Sequence, residues 1–245
     1  MEGTEMRVRF KINDEAFFNN GKVILKALPQ IEKNFRESFH KEGEVEITER
    51  KNGHIGVTAT SLNKTLRRCL EEYPINGETH VEYGVFFHNK KEGFDFSIYD
   101  KEYNLSRLYN YYQGSVGILG GDKKILEEYK RIGYKRKSDW RGKIEEIQSK
   151  VKKNSDYIIE KEKLTVAGEL QFGNWALIYR DLFRLLDADN NPGIDLYIYV
   201  TASEKLSNLL SDNTVSYKQA QNVISEYLSV IKTPIWLIGL GIKKI

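Results

Sequence analysis

Two carboxylates and one amide are spaced in a way that could build a metal site. Glu169 follows Asp156 by 13 positions, and Gln171 follows Glu169 by two. If 164–172 is a strand, Glu169 and Gln171 point to the same face, because side chains two apart on a strand share a face. A turn through 161–163 would lay Asp156 beside Glu169. Carboxylate and amide oxygens are ligands that suit Mg²⁺ rather than zinc.

An all-oxygen magnesium site is the kind of centre that hydrolyses phosphodiesters. A bound metal polarises the phosphoryl oxygen, acidifies the attacking water and stabilises the leaving oxygen. The spacing alone is weak, because the chain contains 35 Asp and Glu residues and produces such patterns by chance. It fits a solvated hairpin edge as well, so the surrounding sequence has to decide between the two interpretations.

The last hundred residues alternate between strand and helix patterns. The predicted strands are 164–172, 194–200 and 235–240, and the predicted helices are 174–186, 203–210 and 218–231. Alternation of this kind predicts a mixed sheet flanked by helices, an α/β core.

The N-terminal part has a different pattern. Helical periodicity covers 23–39 and 62–73, while 81–87 and 94–99 alternate as the two strands of a hairpin. The segment 103–121 is rich in Tyr, Asn and Gly and is predicted to be a loop. We therefore expect extra N-terminal α+β elements added to the core.

Composition restricts the class of protein. The 245 residues include 38 Lys and Arg, giving a formal net charge of +3, and a single cysteine, Cys69, which excludes an intrachain disulfide. The longest apolar run, 234–242, is too short to span a bilayer, and the first ten residues do not resemble a signal peptide. These features predict a cytoplasmic protein with no membrane association.

The positive charge is concentrated between Lys123 and Lys153. This basic stretch holds twelve basic and five acidic residues. Such a concentration is typical of proteins that bind polyanions. A solvated amphipathic helix is the alternative, since Ile144, Ile147 and Val151 recur at helical spacing.

The segments 155–157 (Ser-Asp-Tyr) and 166–173 (Val-Ala-Gly-Glu-Leu-Gln-Phe-Gly) resemble the active-site region of a known nuclease group. They are similar to the BglII/BstYI/BamHI group of restriction endonucleases, a Glu-x-Gln variant of the PD-(D/E)xK nucleases. The similarity covers about residues 155–242. It continues through Tyr-Arg-Asp-Leu-Phe at 179–183, Gly-Ile-Asp-Leu at 193–196 and Pro-Ile-Trp-Leu-Ile-Gly at 234–239.

The resemblance implies a fold and a set of catalytic residues. The fold would be a PD-(D/E)xK restriction-endonuclease-like core, a mixed central β-sheet flanked by helices. Asp156, Glu169 and Gln171 would be catalytic, with Asp156 and Glu169 binding Mg²⁺. Because the stretch between the two carboxylates differs in length from that of the relatives, Glu160 is a rival to Asp156; the Ser-Asp-Tyr context favours Asp156.

The resemblance also implies the DNA contacts. Side chains of Arg, Asn and Asp can pair with guanine, adenine and cytosine respectively, whereas lysines bind phosphates without reading sequence. The expected DNA-binding residues are Asn174, Arg180, Asp212 and Asn213 for the bases, and Lys152 and Lys153 for the phosphates. Asn213 stands where the BamHI-like pattern has Arg, so we expect a target other than the BamHI site. Arg180 could instead pair with Asp181.

These expectations combine into one functional hypothesis. The chain would be one restriction-endonuclease-like domain, 1–245. Its N-terminal α+β part would be 1–150, with the DNA-contacting basic stretch at 123–153, and its catalytic core 155–242. It would act as a homodimer, with the helix around 178–186 at the interface, and cut double-stranded DNA at a short palindrome with Mg²⁺. The products would carry 5′-phosphate and 3′-hydroxyl ends, and a companion DNA methyltransferase would protect the host without being a stable subunit.

Two other functions fit parts of the sequence. A catalytically silent DNA-binding protein could keep the fold, but such a relative would be expected to lose Asp156 or Glu169. An unrelated metal-dependent hydrolase of small phosphates explains the carboxylates but not the basic stretch.

Overall fold

The computed structural model describes residues 4–49, 53, 55–82, 84–88, 93–115, 125, 128, 131–132, 136–189 and 193–245. The strands are β1 (Glu5–Phe18), β2 (Glu42–Glu49), β3 (Ile55–Val57), β4 (Thr79–Glu82), β5 (Val85–His88), β6 (Phe96–Ile98), β7 (Val166–Gln171), β8 (Leu196–Ala202) and β9 (Ile235–Lys244). The helices are α1 (Gly21–Lys26), α2 (Pro29–Ser38), α3 (Ala59–Glu71), α4 (Lys101–Gln113), α5 (Lys137–Lys150), α6 (Leu177–Asp189), α7 (Glu204–Ser207) and α8 (Tyr217–Glu226).

A mixed seven-stranded sheet forms the centre of the molecule, in the order β3-β2-β1-β9-β8-β7-β6. Strand β8 is parallel to both of its neighbours, β7 and β9, and the other pairs in the sheet are antiparallel. Every residue of β7 and β8 is buried, as expected for parallel strands covered on both faces. The predicted α/β core with a mixed central sheet is confirmed.

Helices cover both faces of this sheet. On one face α3 packs Leu62, Leu66 and Leu70 into the core formed with β1, β8 and β9. On the other face α6 contributes its own apolar stripe, including Ile178 and Leu182. Because β1 pairs with β9 along most of its length, the N-terminal part shares the sheet that carries the candidate catalytic strand.

Between β6 and β7 the chain builds a smaller helical unit. Helices α4 and α5 pack against the β4–β5 hairpin around a separate core that includes Leu105, Leu108, Trp140 and Ile144. The loop predicted for 103–121 is wrong over 103–113, where α4 forms: Asp100 caps its first turn by accepting from the Glu102 and Tyr103 amides. Residues 116–121 lie outside the described residues.

The predicted hairpin between 81–87 and 94–99 is also wrong. Strand β4 pairs antiparallel with β5 instead. Strand β6 then leaves this hairpin and adds to the edge of the main sheet beside β7. Among the described residues, no helix has the length and apolar character needed to cross a membrane.

Candidate active site

The edge of the sheet brings two carboxylates face to face. Strands β6 and β7 pair antiparallel, with Phe96 opposite Gly168, and carrying that register one residue further places Asp95 opposite Glu169. Asp95 is fixed there because its Oδ2 accepts a hydrogen bond from the Leu170 amide at 2.7 Å. A Cβ on Gly168 would lie 2.2 Å from the Phe96 ring, so glycine permits this close strand approach.

Asp156 lies elsewhere, contrary to the expectation that it would stand beside Glu169. It is exposed, and its two oxygens accept hydrogen bonds from the Ser115 amide at 2.9 Å and the Ser115 hydroxyl at 3.0 Å. The rival Glu160 is also exposed, and neither residue lines the cavity that contains Glu169.

The expected hairpin fails because another strand occupies its position. The edge of β7 that a preceding strand would use is already paired with β6. The segment before β7 is held against α4 instead. There the Asn110 side-chain amide donates to the Tyr157 carbonyl at 3.0 Å and accepts from the Tyr157 backbone N–H at 2.7 Å. Asp95 therefore takes the position that the sequence pattern assigned to Asp156.

The environment of Glu169 favours a nearby cation. Its side chain is buried, and burial, followed by the negative charges of Asp95 and Asp181, raises its pKa well above the ordinary value. The ion pair with Arg184 opposes this increase without cancelling it. A buried carboxylate next to another carboxylate is the arrangement that a divalent metal stabilises.

Two arginines already contact these carboxylates. Arg67 of α3 forms ion pairs with Asp95 and, at 2.6 Å, with Glu78. Arg184 of α6 forms ion pairs with Glu169 and, at 3.6 Å, with Asp181.

Gln171 is held at both ends of its amide. Its Nε2 donates to Asp181 Oδ2 at 2.8 Å, and its Oε1 accepts from the Gly173 amide at 2.9 Å. The Tyr199 hydroxyl donates to the same Asp181 oxygen at 3.4 Å. Gln171 is therefore a fixed, buried group whose neighbour Asp181 is completely buried.

One cavity of about 680 Å³ is lined by Asp95, Glu169, Gln171, Arg67 and Arg184. It is bounded by the β6–β7 edge, by α6 and by the face of α3 that carries Asn63 and Arg67. The sequence expectation that Glu169 and Gln171 point together is met, since both line this cavity.

The donor set fits a hard cation. Among the described residues, no cluster of three or more His, Cys, Asp or Glu side chains is placed to hold a metal. The available oxygens come from two carboxylates, Asp95 and Glu169, and from the amide of Gln171 nearby. Such a set, completed by water or substrate oxygens, suits Mg²⁺, which usually binds proteins through one or two carboxylates.

Three of the four residues predicted to read bases meet in space. The Trp175 amide donates to the Asn213 carbonyl at 2.8 Å, and Asn174 bridges to Thr214, so Asn174, Asp212 and Asn213 form one exposed edge. Arg180 is separate: its guanidinium pairs with Asp181 at 3.1 Å, the alternative noted from the sequence, and its side chain lines the cavity beside Glu169.

The basic stretch is only partly described, because residues 123–124, 126–127, 129–130 and 133–135 fall outside the described residues. Lys152 and Lys153 follow α5 and are exposed. Within α5 several charges are paired, among them Lys143 with Glu102 at 3.2 Å. Ile144 and Ile147 face the small core, so the helix is amphipathic as well as basic.

Comparison with known proteins decides the family. The sequence matches the family profile described as restriction endonuclease BglII/BglIII over residues 14–240, which is most of the chain. The protein belongs to the BglII/BglIII restriction endonuclease family. This nuclease is a type II site-specific deoxyribonuclease, and the family expected from the resemblance is confirmed. The matched region includes α3 and Asp95, which the resemblance over 155–242 did not reach.

A solved structure supports the fold. The crystal structure of restriction endonuclease BglII complexed with a DNA 16-mer aligns with a TM-score of 0.50 and 14% sequence identity, covering 94% of this chain and 75% of that chain. Free BglII aligns with a TM-score of 0.44 and 13% identity, covering 94% and 78%. No curated protein sequence gives a significant match.

Sequence reasoning missed Asp95 and the two arginines. Asp95 lies between Phe94 and Phe96 in a segment whose apolar and polar residues alternate, so the sequence places it on a polar strand face and gives no local sign of a site. Arg184 follows Glu169 by 15 positions on the next helix, which local spacing alone does not relate to the strand.

Proposed function

We propose that this restriction endonuclease hydrolyses double-stranded DNA at a short palindromic site, with Mg²⁺ bound by Asp95 and Glu169. The observation that carries the proposal is the pairing of these two carboxylates across the β6–β7 edge, inside a cavity that also contains Gln171 and three arginines. Asp95 replaces Asp156 in the proposed site because Asp156 is held by Ser115 outside that cavity.

The catalytic residues divide into ligands and groups that orient them. When bound, the metal supplies Lewis acidity to the phosphodiester and lowers the pKa of a coordinated water. Asp95 is oriented by the Leu170 amide. Gln171 cannot serve as a base, because an amide has no basic site at neutral pH, so it acts by fixing the geometry between β7 and α6.

The ends of the products follow from the bond that breaks. Attack of water on phosphorus opposite the 3′ oxygen forms a new P–O bond and breaks the P–O3′ bond. The leaving 3′ oxygen takes a proton, which leaves a 3′-hydroxyl on one fragment and a 5′-phosphate on the other. Arg184, which lines the same cavity, supplies positive charge for the phosphate.

Recognition of bases is proposed for the exposed edge built by Asn174, Asp212 and Asn213, together with Arg180. Asn213 has a left-handed backbone, with φ of 67°, which turns the loop so that it meets the segment before α6. Lys152 and Lys153 are exposed cations without a role in the core, and we assign them to phosphates.

A homodimer is proposed because a two-fold assembly reads a palindrome with one set of side chains used twice. The outer surface of α6 supports this. Phe183 is 67% exposed on that helix, and Trp175 and Val230 are exposed large apolar residues on neighbouring segments. The rings of Tyr179 and Tyr227 join α6 to the end of α8, with centroids 6.1 Å apart.

The remaining features of the proposal concern the cell. A nuclease that cuts a short site would also cut its host's DNA, so we propose that a DNA methyltransferase of the same specificity accompanies it. We also propose that the enzyme is cytoplasmic. The alternative of a catalytically silent DNA-binding protein is disfavoured by family membership and by the retention of Asp95, Glu169 and Gln171 at one site.

The proposal is tested by incubating the purified protein with plasmid DNA of known sequence in Mg²⁺ or in EDTA. Discrete fragments in Mg²⁺ alone are expected, with ends that DNA ligase joins directly, since ligation requires a 5′-phosphate and a 3′-hydroxyl. Fragments that form in EDTA would contradict the proposal. So would a failure to cut any of a set of plasmids of varied sequence in Mg²⁺.

A further inference from the structure

Each carboxylate of the proposed metal site shares its arginine with a second carboxylate. Arg67 contacts Asp95 and also Glu78, the latter at 2.6 Å. The opposite side of the site repeats this arrangement, since Arg184 contacts Glu169 and also lies 3.6 Å from Asp181. We call these two arrangements, Glu78–Arg67–Asp95 and Asp181–Arg184–Glu169, the arginine bridges.

The second carboxylates differ from the proposed ligands. Glu78 lies before β4, and its side chain is 34% exposed at the rim of the cavity. Asp181 is on α6, where Gln171 and Arg180 already donate to it. Neither residue is positioned by the β6–β7 strand pair, which holds the two proposed ligands opposite each other.

Binding of a divalent cation changes the charge balance at both bridges. A cation on the carboxylates of β6 and β7 stands beside two guanidinium groups and repels them. An arginine that withdraws without a partner would leave a partly buried charge uncompensated, which is unfavourable. A second carboxylate within reach removes this cost, because the guanidinium keeps an ion pair after it leaves the first.

Arg67 has the donors that such an exchange requires. A guanidinium presents five N–H donors in a planar fork. Its Nε is buried and has no hydrogen-bond partner among the described residues, so one donor is free to engage Glu78 as the contact with Asp95 opens.

We propose that Arg67 is a positioning residue that holds Asp95 in the metal-free enzyme and turns to Glu78 when a divalent cation binds. Arg184 makes the corresponding exchange on the other side of the site. The inference rests on the proposed metal site and adds that cation affinity depends on carboxylates that never touch the cation. The bridges keep two like charges together at the strand edge without metal, and they also set the strength of cation binding.

A double-mutant cycle on Mn²⁺ binding tests the exchange without relying on cleavage. Mn²⁺ prefers the same oxygen ligands as Mg²⁺, and the electron paramagnetic resonance signal of free Mn²⁺ reports its binding to the full chain. Arg67→Gln is expected to tighten Mn²⁺ binding about tenfold, because the competing cation is gone. Glu78→Gln is expected to weaken binding about fivefold, because Arg67 then remains on Asp95.

The decisive comparison is Glu78→Gln in the Arg67→Gln background. If Glu78 acts only by receiving Arg67, its removal there changes the Mn²⁺ dissociation constant less than about twofold. If Glu78 acts by its negative charge alone, the effect is the same in both backgrounds, and that result would overturn the inference.

Matched variants control for charge and folding. Arg68→Gln on α3 and Glu49→Gln on β2 remove the same charges at exposed positions outside the active-site cavity, and each is expected to alter Mn²⁺ affinity less than about twofold. Circular dichroism verifies folding, and Arg184→Gln replaces Arg67→Gln if that variant does not fold. It is likewise expected to tighten Mn²⁺ binding, and weaker binding would overturn the inference.

The same assay separates this inference from the proposed function. Asp95→Asn should lower Mn²⁺ affinity sharply. If it does, the proposed metal site stands, and additive effects of Arg67→Gln and Glu78→Gln on Mn²⁺ binding would reject only the exchange by Arg67. If Asp95→Asn leaves Mn²⁺ binding unchanged, the proposed metal site is wrong and the exchange falls with it.

Discussion

Asp95 and Glu169 lie opposite each other on neighbouring antiparallel strands, although 74 positions separate them in the chain. The intervening residues build the unit formed by α4 and α5, which packs around its own core. The carboxylate pair therefore depends on strand pairing and not on local spacing. A sheet edge can hold such a pair rigidly, because the Leu170 amide that orients Asp95 belongs to the strand that carries Glu169.

Glu169→Gln should remove cleavage and make the metal-free protein more stable at neutral pH. Burial and the charges of Asp95 and Asp181 raise the pKa of Glu169, so the folded state binds this proton more tightly than the unfolded state. The free energy of unfolding therefore falls as pH rises above about 4.5, until the folded pKa is passed.

The neutral amide avoids that loss, so the variant should be more stable than the wild type at pH 7 and its stability should depend less on pH. Urea unfolding in EDTA at pH 5 and pH 7 measures the difference. A variant that is less stable than the wild type at pH 7, or equally dependent on pH, would show that Arg184 fully compensates the buried charge.

Gln171→Glu should destabilise the fold. The amide donates to Asp181 and accepts from Gly173, and a carboxylate can replace only the second interaction while facing the buried Asp181. A loss of about 1–3 kcal/mol is expected in urea unfolding at pH 7, because a buried acceptor loses its donor. Gln148→Glu on the exposed surface of α5 is the control. Equal stability of the two variants would mean that the Gln171–Asp181 contact contributes nothing.

Arg180→Ala should reduce discrimination at one symmetric base pair by about 1–3 kcal/mol. Lys152→Ala and Lys153→Ala should instead weaken binding to every sequence and reduce its dependence on salt. Cleavage rates on the cognate site and its single-base variants distinguish these effects. A uniform loss of rate in Arg180→Ala on all substrates would assign Arg180 to phosphate binding or to its ion pair with Asp181.

Phe183→Asp should convert the dimer to a monomer and abolish double-strand cleavage. The side chain is 67% exposed on α6, so a charge there costs little in the monomer but prevents burial against a second copy. Sedimentation at micromolar concentration measures the change. Ile158→Asp, at a residue that is 85% exposed in a different segment, should stay dimeric. A wild-type protein that sediments as a monomer with and without DNA would remove the basis of this prediction.

The sequence predicts the sheet core well for particular reasons. The run from Leu196 to Val200 is apolar throughout, as a parallel strand buried on both faces requires. Glu169 and Gln171 have the two-residue period of one strand face. These signals are local, so a single sequence contains them.

The partner of Glu169 depends on information that is not local. Nothing between 156 and 165 shows that β6 already occupies the edge of β7, because that pairing joins residues more than 60 positions apart. Helix α4 was missed for a related reason. Its tyrosines and asparagines are weak helix formers, and the helix is stabilised by tertiary packing of Leu105, Leu108 and Tyr109 against α5 and β5.

The most direct measurement of the central claim compares Asp95→Asn with Asp156→Asn in a plasmid cleavage assay with Mg²⁺. Asp95 faces Glu169 across the strand pair, whereas Asp156 is exposed and bound to Ser115. We predict that Asp95→Asn lowers the cleavage rate by at least about a thousandfold, a loss of ~4 kcal/mol of transition-state stabilisation, while Asp156→Asn cleaves within about tenfold of the wild type. An active Asp95→Asn protein together with an inactive Asp156→Asn protein would contradict the proposed metal site.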